Sequence, residues 1–251
     1  MAAPPLLLIN GYAATAADWD PTFVAALERS FELILPDNRG VGSASLGGLD
    51  GPLTIEAMAA DLEALIDARE IAKLPVAGWS MGGFVAQALA ARSPQQVEAL
   101  ILLSTDPGGP DAVRADPAVW AQLTDCSGTS REQAARLISL LFPPPMAAEI
   151  DRQFGEVVAT ARSELSPTAL SAQVEAMEAW HAAEQPLPPT PAPPVLVACG
   201  SDDVVIPPEN SDRLAARWPS CRRERFAGGG HAFMAQEPER LANLISSFLL
   251  R

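Results

Sequence analysis

Between residues 74 and 91 the chain must turn a short apolar run into a helix around one serine, and no other stretch constrains its fold as much. Residues 74–79 have the composition of a strand, and residues 84–91 are rich in helix formers. The turn between them is Gly78-Trp79-Ser80-Met81-Gly82, followed by Gly83. A serine placed there stands clear of both elements, at the cost of a strained backbone. Glycine at 78 and 82 removes the β-carbons that would collide across the bend, and Gly83 lets the helix pack closely.

Along the rest of the chain short apolar runs alternate with helical periodicity. Residues 6–9 lie between Pro5 and Asn10-Gly11, the pattern of a strand buried on both faces. Asp20-Pro21 starts a helix reaching Arg29, and residues 31–35 form a second buried strand ending at Pro36. Thr54 caps a helix with apolar positions Ile55, Met58, Ala59, Leu62, Leu65 and Ile66, while Glu56, Asp61, Glu63 and Asp67 turn mostly outward. Residues 74–79 and 97–103 are the third and fourth strands. From Pro107 to Pro194 the strands stop, and helices are expected over 116–123, 130–141, 146–165 and 167–183. This block reads as a helical cap inserted between two strands, with residues 187–194 as a stiff proline-rich re-entry. Strands return at 195–199 and 223–226, and Leu241, Leu244, Ile245, Phe248 and Leu249 give the inner stripe of a closing helix.

The fold class is therefore α/β, a mostly parallel sheet of about six strands with helices on both faces. Residues 1–107 and 191–251 form the core, and 108–190 the cap. Ligands of such sheets collect at the carboxyl ends of the strands. Asn10-Gly11-Tyr12, Ser80, Asp106 and Asp203 should converge there.

The chain is 251 residues long with a net charge of −14, and it has no basic cluster that could attract a phosphate backbone or an anionic membrane. Nucleic acid and membrane are excluded as expected partners, leaving a small-molecule substrate. Cys126, Cys199 and Cys221 are far apart and match no metal or disulfide spacing. No metal or cofactor is expected. The N-terminal stretch lacks the basic flank and cleavage site of a signal peptide, which makes a cytoplasmic location the expectation.

A serine hydroxyl needs a base to become a nucleophile near neutral pH, and histidine is the usual one. Of the two, His231 lies in the loop Gly228-Gly229-Gly230-His231, while His181 ends an alanine-rich cap helix and reads as solvated or cap-packing. A carboxylate must then orient the imidazole. Asp203, just after a strand in Gly200-Ser201-Asp202-Asp203, is the candidate, with Asp202 and Asp106 as rivals. Two donors for a developing oxyanion are expected from the backbone N–H groups of Met81 and Tyr12. Trp79 and Trp180 are the substrate-binding candidates. Trp180 shares a helix face with Met177, Val174 and Leu170, and that face looks either into the site or onto the core.

The order Ser80, Asp203, His231, together with Asn10-Gly11-Tyr12, Asp37-Asn38-Arg39-Gly40-Val41-Gly42 and Gly78 through Gly83, resembles the α/β-hydrolase superfamily over nearly the whole chain. Within it the chain is similar to the cofactor-free branch of enol-lactone hydrolases, meta-cleavage C–C hydrolases and perhydrolase-type haloperoxidases. The resemblance implies Ser80, Asp203 and His231 as a catalytic triad, Tyr12 and Met81 as the oxyanion hole, and Asp37 and Arg39 as organisers of a structural loop. It implies a serine hydrolase acting on a small ester, lactone or related acyl substrate. C–C hydrolysis, peracid formation and a non-catalytic ligand-binding protein of the same fold are the alternatives. For a C–C hydrolase or lactonase a cap pocket able to hold a carboxylate is expected, yet Arg114, Arg131, Arg136, Arg152 and Arg162 all read as solvated.

Three departures stand out. Asn10 replaces the family's usual histidine, Ala44 replaces a serine after Gly42, and five residues precede the first strand where the family has two further strands. The strand at 31–35 should then be an open edge, so that the chain either dimerises there or is less stable than a version extended upstream.

Overall fold

The structure is a computed structural model, and it describes residues 3–45, 51–218 and 220–250. In its first half strands and helices alternate: β1 (Pro5–Ile9), α1 (Pro21–Glu28), β2 (Glu32–Ile34), α2 (Ile55–Ala68), β3 (Leu74–Trp79), α3 (Met81–Arg92) and β4 (Val97–Leu103). Four helices follow without a strand: α4 (Pro117–Thr124), α5 (Ser130–Leu141), α6 (Pro144–Ser163) and α7 (Pro167–Ala182). The chain then closes with β5 (Val195–Gly200), α8 (Asn210–Arg217), β6 (Arg222–Phe226), α9 (Phe233–Gln236) and α10 (Pro238–Leu249).

The six strands form one sheet in the order β2-β1-β3-β4-β5-β6, and every pair is parallel. Parallel neighbours need crossovers, which the helices supply by covering both faces. Alternation along the strands sorts the side chains. Leu7, Ile9 and Val76 pack with α2 and α3 on one face, while Leu6, Leu8 and Ala77 pack with α1 and α10 on the other. β2 is an edge strand, with Phe31, Leu33 and Leu35 on one face, Ile34 on the other and Glu32 exposed.

Local chemistry sets the helix starts. Asp20 accepts from Phe23 N ahead of Pro21, Thr54 accepts from Ala57 N, and Thr129 and Glu132 form a reciprocal capping box. The element α8 was not foreseen, because its buried positions are Asn210, Ser211 and Leu214 and a single apolar residue gives no periodic signal. No helix among the described residues is long and apolar enough to cross a membrane.

Candidate active site

At the end of β3, Ser80 has φ 57° and ψ −124°, a conformation most side chains avoid. Such strain costs about 1–3 kcal/mol and persists only where neighbours hold it. They do so here: Ser80 N donates to Leu103 O at 2.9 Å, and Ser80 O accepts from Gly83 N at 2.8 Å and Thr105 Oγ1 at 2.8 Å. The bend closes only because two β-carbons are missing. One added to Gly78 would lie 2.2 Å from Gly82 O, and one added to Gly82 would lie 2.2 Å from Ile9 O.

The loop after β1 lies directly against the serine, since a β-carbon built on Gly11 would sit 3.2 Å from Ser80 Cβ. Asn10 braces this loop: its Nδ2 donates to Thr15 O at 2.6 Å, its Oδ1 accepts from Gly11 N at 2.9 Å, and its carbonyl accepts from Asn38 Nδ2 at 2.8 Å. Asp37 ties the neighbouring loop, accepting from Ala16 N and from the N–H and hydroxyl of Ser43, each at 2.7 Å. Burial works to raise the Asp37 carboxyl, but these hydrogen bonds outweigh it and hold the group below its ordinary value. Arg39 clamps Asp61 with Nε and Nη2 at 2.7 and 2.6 Å. Among the described residues, the N–H groups of Tyr12 and Met81 have no protein acceptor. Two unspent donors therefore flank Ser80.

A residue not singled out from the sequence, Gln173 of α7, holds the first loop in place. It is completely buried, accepts from Ala13 N at 2.9 Å and donates to Arg39 O at 3.3 Å. Ala13 itself has φ 56°, so the loop needs that anchor. The signal available was a polar residue on the inward stripe between Leu170 and Met177. Gln173→Leu should leave the buried Ala13 N–H without its acceptor and destabilise the protein by about 1–3 kcal/mol. An unchanged denaturation midpoint would show that the loop stands without it.

On the far side of the sheet's carboxyl edge, His231 Nδ1 lies 3.0 and 2.8 Å from the two oxygens of Asp203. Asp203 Oδ1 also accepts from Val205 N and Ile206 N, both at 2.9 Å. A carboxylate at Nδ1 favours the neutral tautomer with its proton there, in which Nε2 is the acceptor nitrogen. The two loops are locked together by Asp202 N to Gly229 O at 2.8 Å and Gly228 N to Ser201 Oγ at 2.8 Å. Asp202 is exposed, and among the described residues its carboxylate accepts only from its neighbour Ser201.

Trp79 links this pair to the serine. Its Nε1 donates to His231 O at 3.0 Å and its ring lies 5.3 Å from the His231 ring. The indole packs with Trp19 in the cluster under α1 and α10 and against the His231 ring. Among the described residues no hydrogen bond joins Ser80 Oγ to His231. Catalytic contacts of this kind commonly tighten only with substrate bound.

The site is buried, with Ser80 8% and His231 2% exposed, and residues of the helices between β4 and β5 pack in one cluster with Met81 and Phe84. Ala232 N donates to Leu141 O at 3.0 Å, and Trp180 stacks on Phe84 of α3 at 5.5 Å and 15°. Leu170, Met177 and Trp180 are all buried, and the Trp180 face therefore packs onto the helix that Ser80 opens. His181 is not solvated. Its side chain is 6% exposed, and Nε2 lies 2.9 Å from Asp106 Oδ2. Asp106 is also a turn residue, accepting from Gly108 N at 2.8 Å. The structure thus contains two buried His–Asp pairs, and only one has its histidine on the β6 loop.

The profile described as "alpha/beta hydrolase fold" matches residues 4–238. A Caulobacter segnis protein provisionally named carbamate hydrolase RutD is 28% identical over 256 residues, which cover 97% of this chain and 90% of that one. Among solved structures, a thermophilic esterase from Thermogutta terrifontis superposes with a TM-score of 0.73 at 27% identity, covering 99% of this chain and 90% of the other. The enol-lactonase from Burkholderia xenovorans LB400 shares the fold at TM-score 0.76 and 24% identity, covering 100% and 93%. The all-parallel sheet, the strained Ser80 between β3 and α3 and the family match agree, and the chain belongs to the α/β-hydrolase fold family.

Proposed function

We propose that this hydrolytic enzyme is a serine hydrolase of small ester, lactone or related acyl substrates, with Ser80 as nucleophile, His231 as base and Asp203 as its orienting carboxylate. The observation that carries the reading is the buried His231–Asp203 pair, held one residue from Ser80 through Trp79. Ser80 Oγ attacks the acyl carbon and gives its proton to His231 Nε2. The oxyanion that forms is met by the free N–H groups of Tyr12 and Met81. Collapse breaks the bond to the leaving oxygen, which takes the proton from His231, and the acyl group stays on Ser80. Water then attacks the ester, gives one proton to His231, and Ser80 Oγ leaves and recovers it. The carboxylic acid is released.

In this reading the helical insertion acts as a cap. With Ser80 and His231 almost inaccessible, it must part for substrate to enter and it limits the size of what fits. A fluorophosphonate tests the assignment directly, because Ser80 Oγ would bond to phosphorus as fluoride leaves and His231 takes the proton. The adduct should appear on the peptide containing Ser80 in step with loss of ester turnover. A label on another residue, or continued turnover after full labelling of Ser80, would remove the assignment.

A further inference from the structure

The helical insertion meets the loop of His231 directly, at the corner where α5 ends and α6 begins. Leu141 is the last residue of α5, Phe142 is its C-cap, and Pro143 precedes the first turn of α6. The carbonyl of Leu141 is among the last four of α5, which have no donor inside the helix. It finds one outside, accepting from Ala232 N at 3.0 Å. Leu141 and Phe142 also pack against the apolar cluster that contains Trp79, Ala232 and Phe233.

The bonds around His231 divide by origin. The core supplies three: Asp203 at Nδ1, Trp79 Nε1 donating to His231 O, and Gln236 Oε1 accepting from Gly230 N at 2.7 Å. The insertion supplies a fourth at Ala232 N, in the residue directly after the histidine. A ring held at Nδ1 by one carboxylate can still pivot about that contact, so the backbone on either side decides where Nε2 points. Gly230, on the other side, is fitted to the same corner. A β-carbon there would have as its three nearest neighbours Leu141 O at 2.6 Å, Pro143 Cδ at 3.0 Å and Phe142 Cα at 3.1 Å, all from the insertion. Gly228 has φ 71°, whereas Gly230 has no positive φ. Close approach of the corner, not a left-handed backbone, is what calls for glycine at 230.

From this geometry we propose that the α5–α6 corner is a positioning element for the base, and that Gly230 is the residue that lets it seat. With the corner seated, Leu141 O holds Ala232 N and fixes the aim of His231 toward Ser80. When the corner lifts, the base loses that brace. Closure of the insertion and competence of the base are thereby linked, and a site open to water is a poor catalyst. The inference rests on the serine-hydrolase reading for the role of His231, but the contact itself can be followed without turnover.

The test uses Gly230→Ala, which wedges the corner away, and Pro143→Gly, which loosens it without touching the base loop or the sheet. For para-nitrophenyl acetate, Gly230→Ala should lower kcat about 10–100-fold, the range for a reacting group displaced by about an ångström, and change KM by less than about threefold. Fluorophosphonate labelling of Ser80 needs the same proton transfer and should slow by a similar factor. Pro143→Gly alone should cost about 3–10-fold in kcat, yet added to Gly230→Ala it should restore part of the loss, because a looser corner can seat beside the new methyl group. Two changes that merely destabilised the fold would not compensate each other in this way. Amide exchange at Ala232 should be at least about tenfold faster in either single variant, while the Gly83 amide, bonded to Ser80 O inside the turn, keeps its rate. Faster exchange at Ala232 with kcat and labelling within about threefold of wild type overturns the inference and leaves the hydrolase intact. Unchanged exchange at Ala232 overturns it as well. If Gly230→Ala does not fold, Pro143→Gly decides alone by the same readouts. A wild type that takes no label removes the hydrolase reading, and with it the base to be positioned, an outcome that no difference between variants imitates.

Discussion

Replacing Ser80 by alanine is expected to lower kcat/KM for a para-nitrophenyl ester by about 10³-fold or more, the loss seen when a triad nucleophile is removed. The fold should hardly respond. The bonds that keep residue 80 in its positive-φ turn run through its backbone, to Leu103 O, Gly83 N and Thr105 Oγ1, and alanine retains all of them. The forbidden β-carbons belong to Gly78 and Gly82, not to position 80. Activity and the urea midpoint should therefore separate, the first collapsing while the second stays put. Some catalysis over solvent should survive, because the Tyr12 and Met81 N–H groups and the cover of the helical insertion remain. A variant that keeps more than about a tenth of wild-type activity has its nucleophile elsewhere, since no uniform-binding role for one hydroxyl accounts for a larger loss.

What could be read from the sequence was what the backbone encodes. The strands at 74–79 and 97–103 match to the residue, because runs buried on both faces are bounded sharply by turns. The glycines at 78, 82 and 83 are legible for the same reason: they mark places where backbone passes backbone or a side chain, at Gly82 O, Ile9 O and Thr105. His231 and Asp203 could be paired because each follows a strand end, and a parallel sheet brings strand ends together. The failures lie where the helical insertion meets the core. His181 finds Asp106 across 75 residues, and Gln173 finds Ala13 across 160. Nothing in a helix's own periodicity says which distant loop its polar side chain will meet. Arg162 looked like the other four arginines of the insertion, yet it is 8% exposed. Trp79 packs its indole against Trp19 and His231, contacts that its place beside Ser80 does not reveal.

The presence of two buried His–Asp pairs makes the identity of the working carboxylate the sharpest remaining test. Asp203→Asn should cost about 10⁴-fold in kcat, because an amide can turn its NH₂ toward Nδ1 and leave the imidazole with its proton on Nε2, where it cannot accept one from Ser80. The Val205 and Ile206 N–H groups still find the asparagine oxygen, so the fold should persist and the loss should be chemical. Asp106→Asn should change kcat by no more than about threefold, within the range expected when the altered group touches neither substrate nor base. Its cost should appear in stability, at about 1–3 kcal/mol, through the weakened His181 contact. The two pairs differ in which nitrogen they spend. Asp203 takes Nδ1 of His231 and leaves Nε2 available. Asp106 takes Nε2 of His181 and leaves Nδ1 without a partner, in a ring that stands edge-on to Phe84 at 5.3 Å and to Trp120 at 6.5 Å. A base walled in by two aromatic rings has no route to a hydroxyl proton. If Asp106→Asn nevertheless silenced the enzyme while Asp203→Asn spared it, the helical insertion would have to swing His181 clear of Phe84 during turnover, and the working pair would be the one that now joins α7 to the loop after β4.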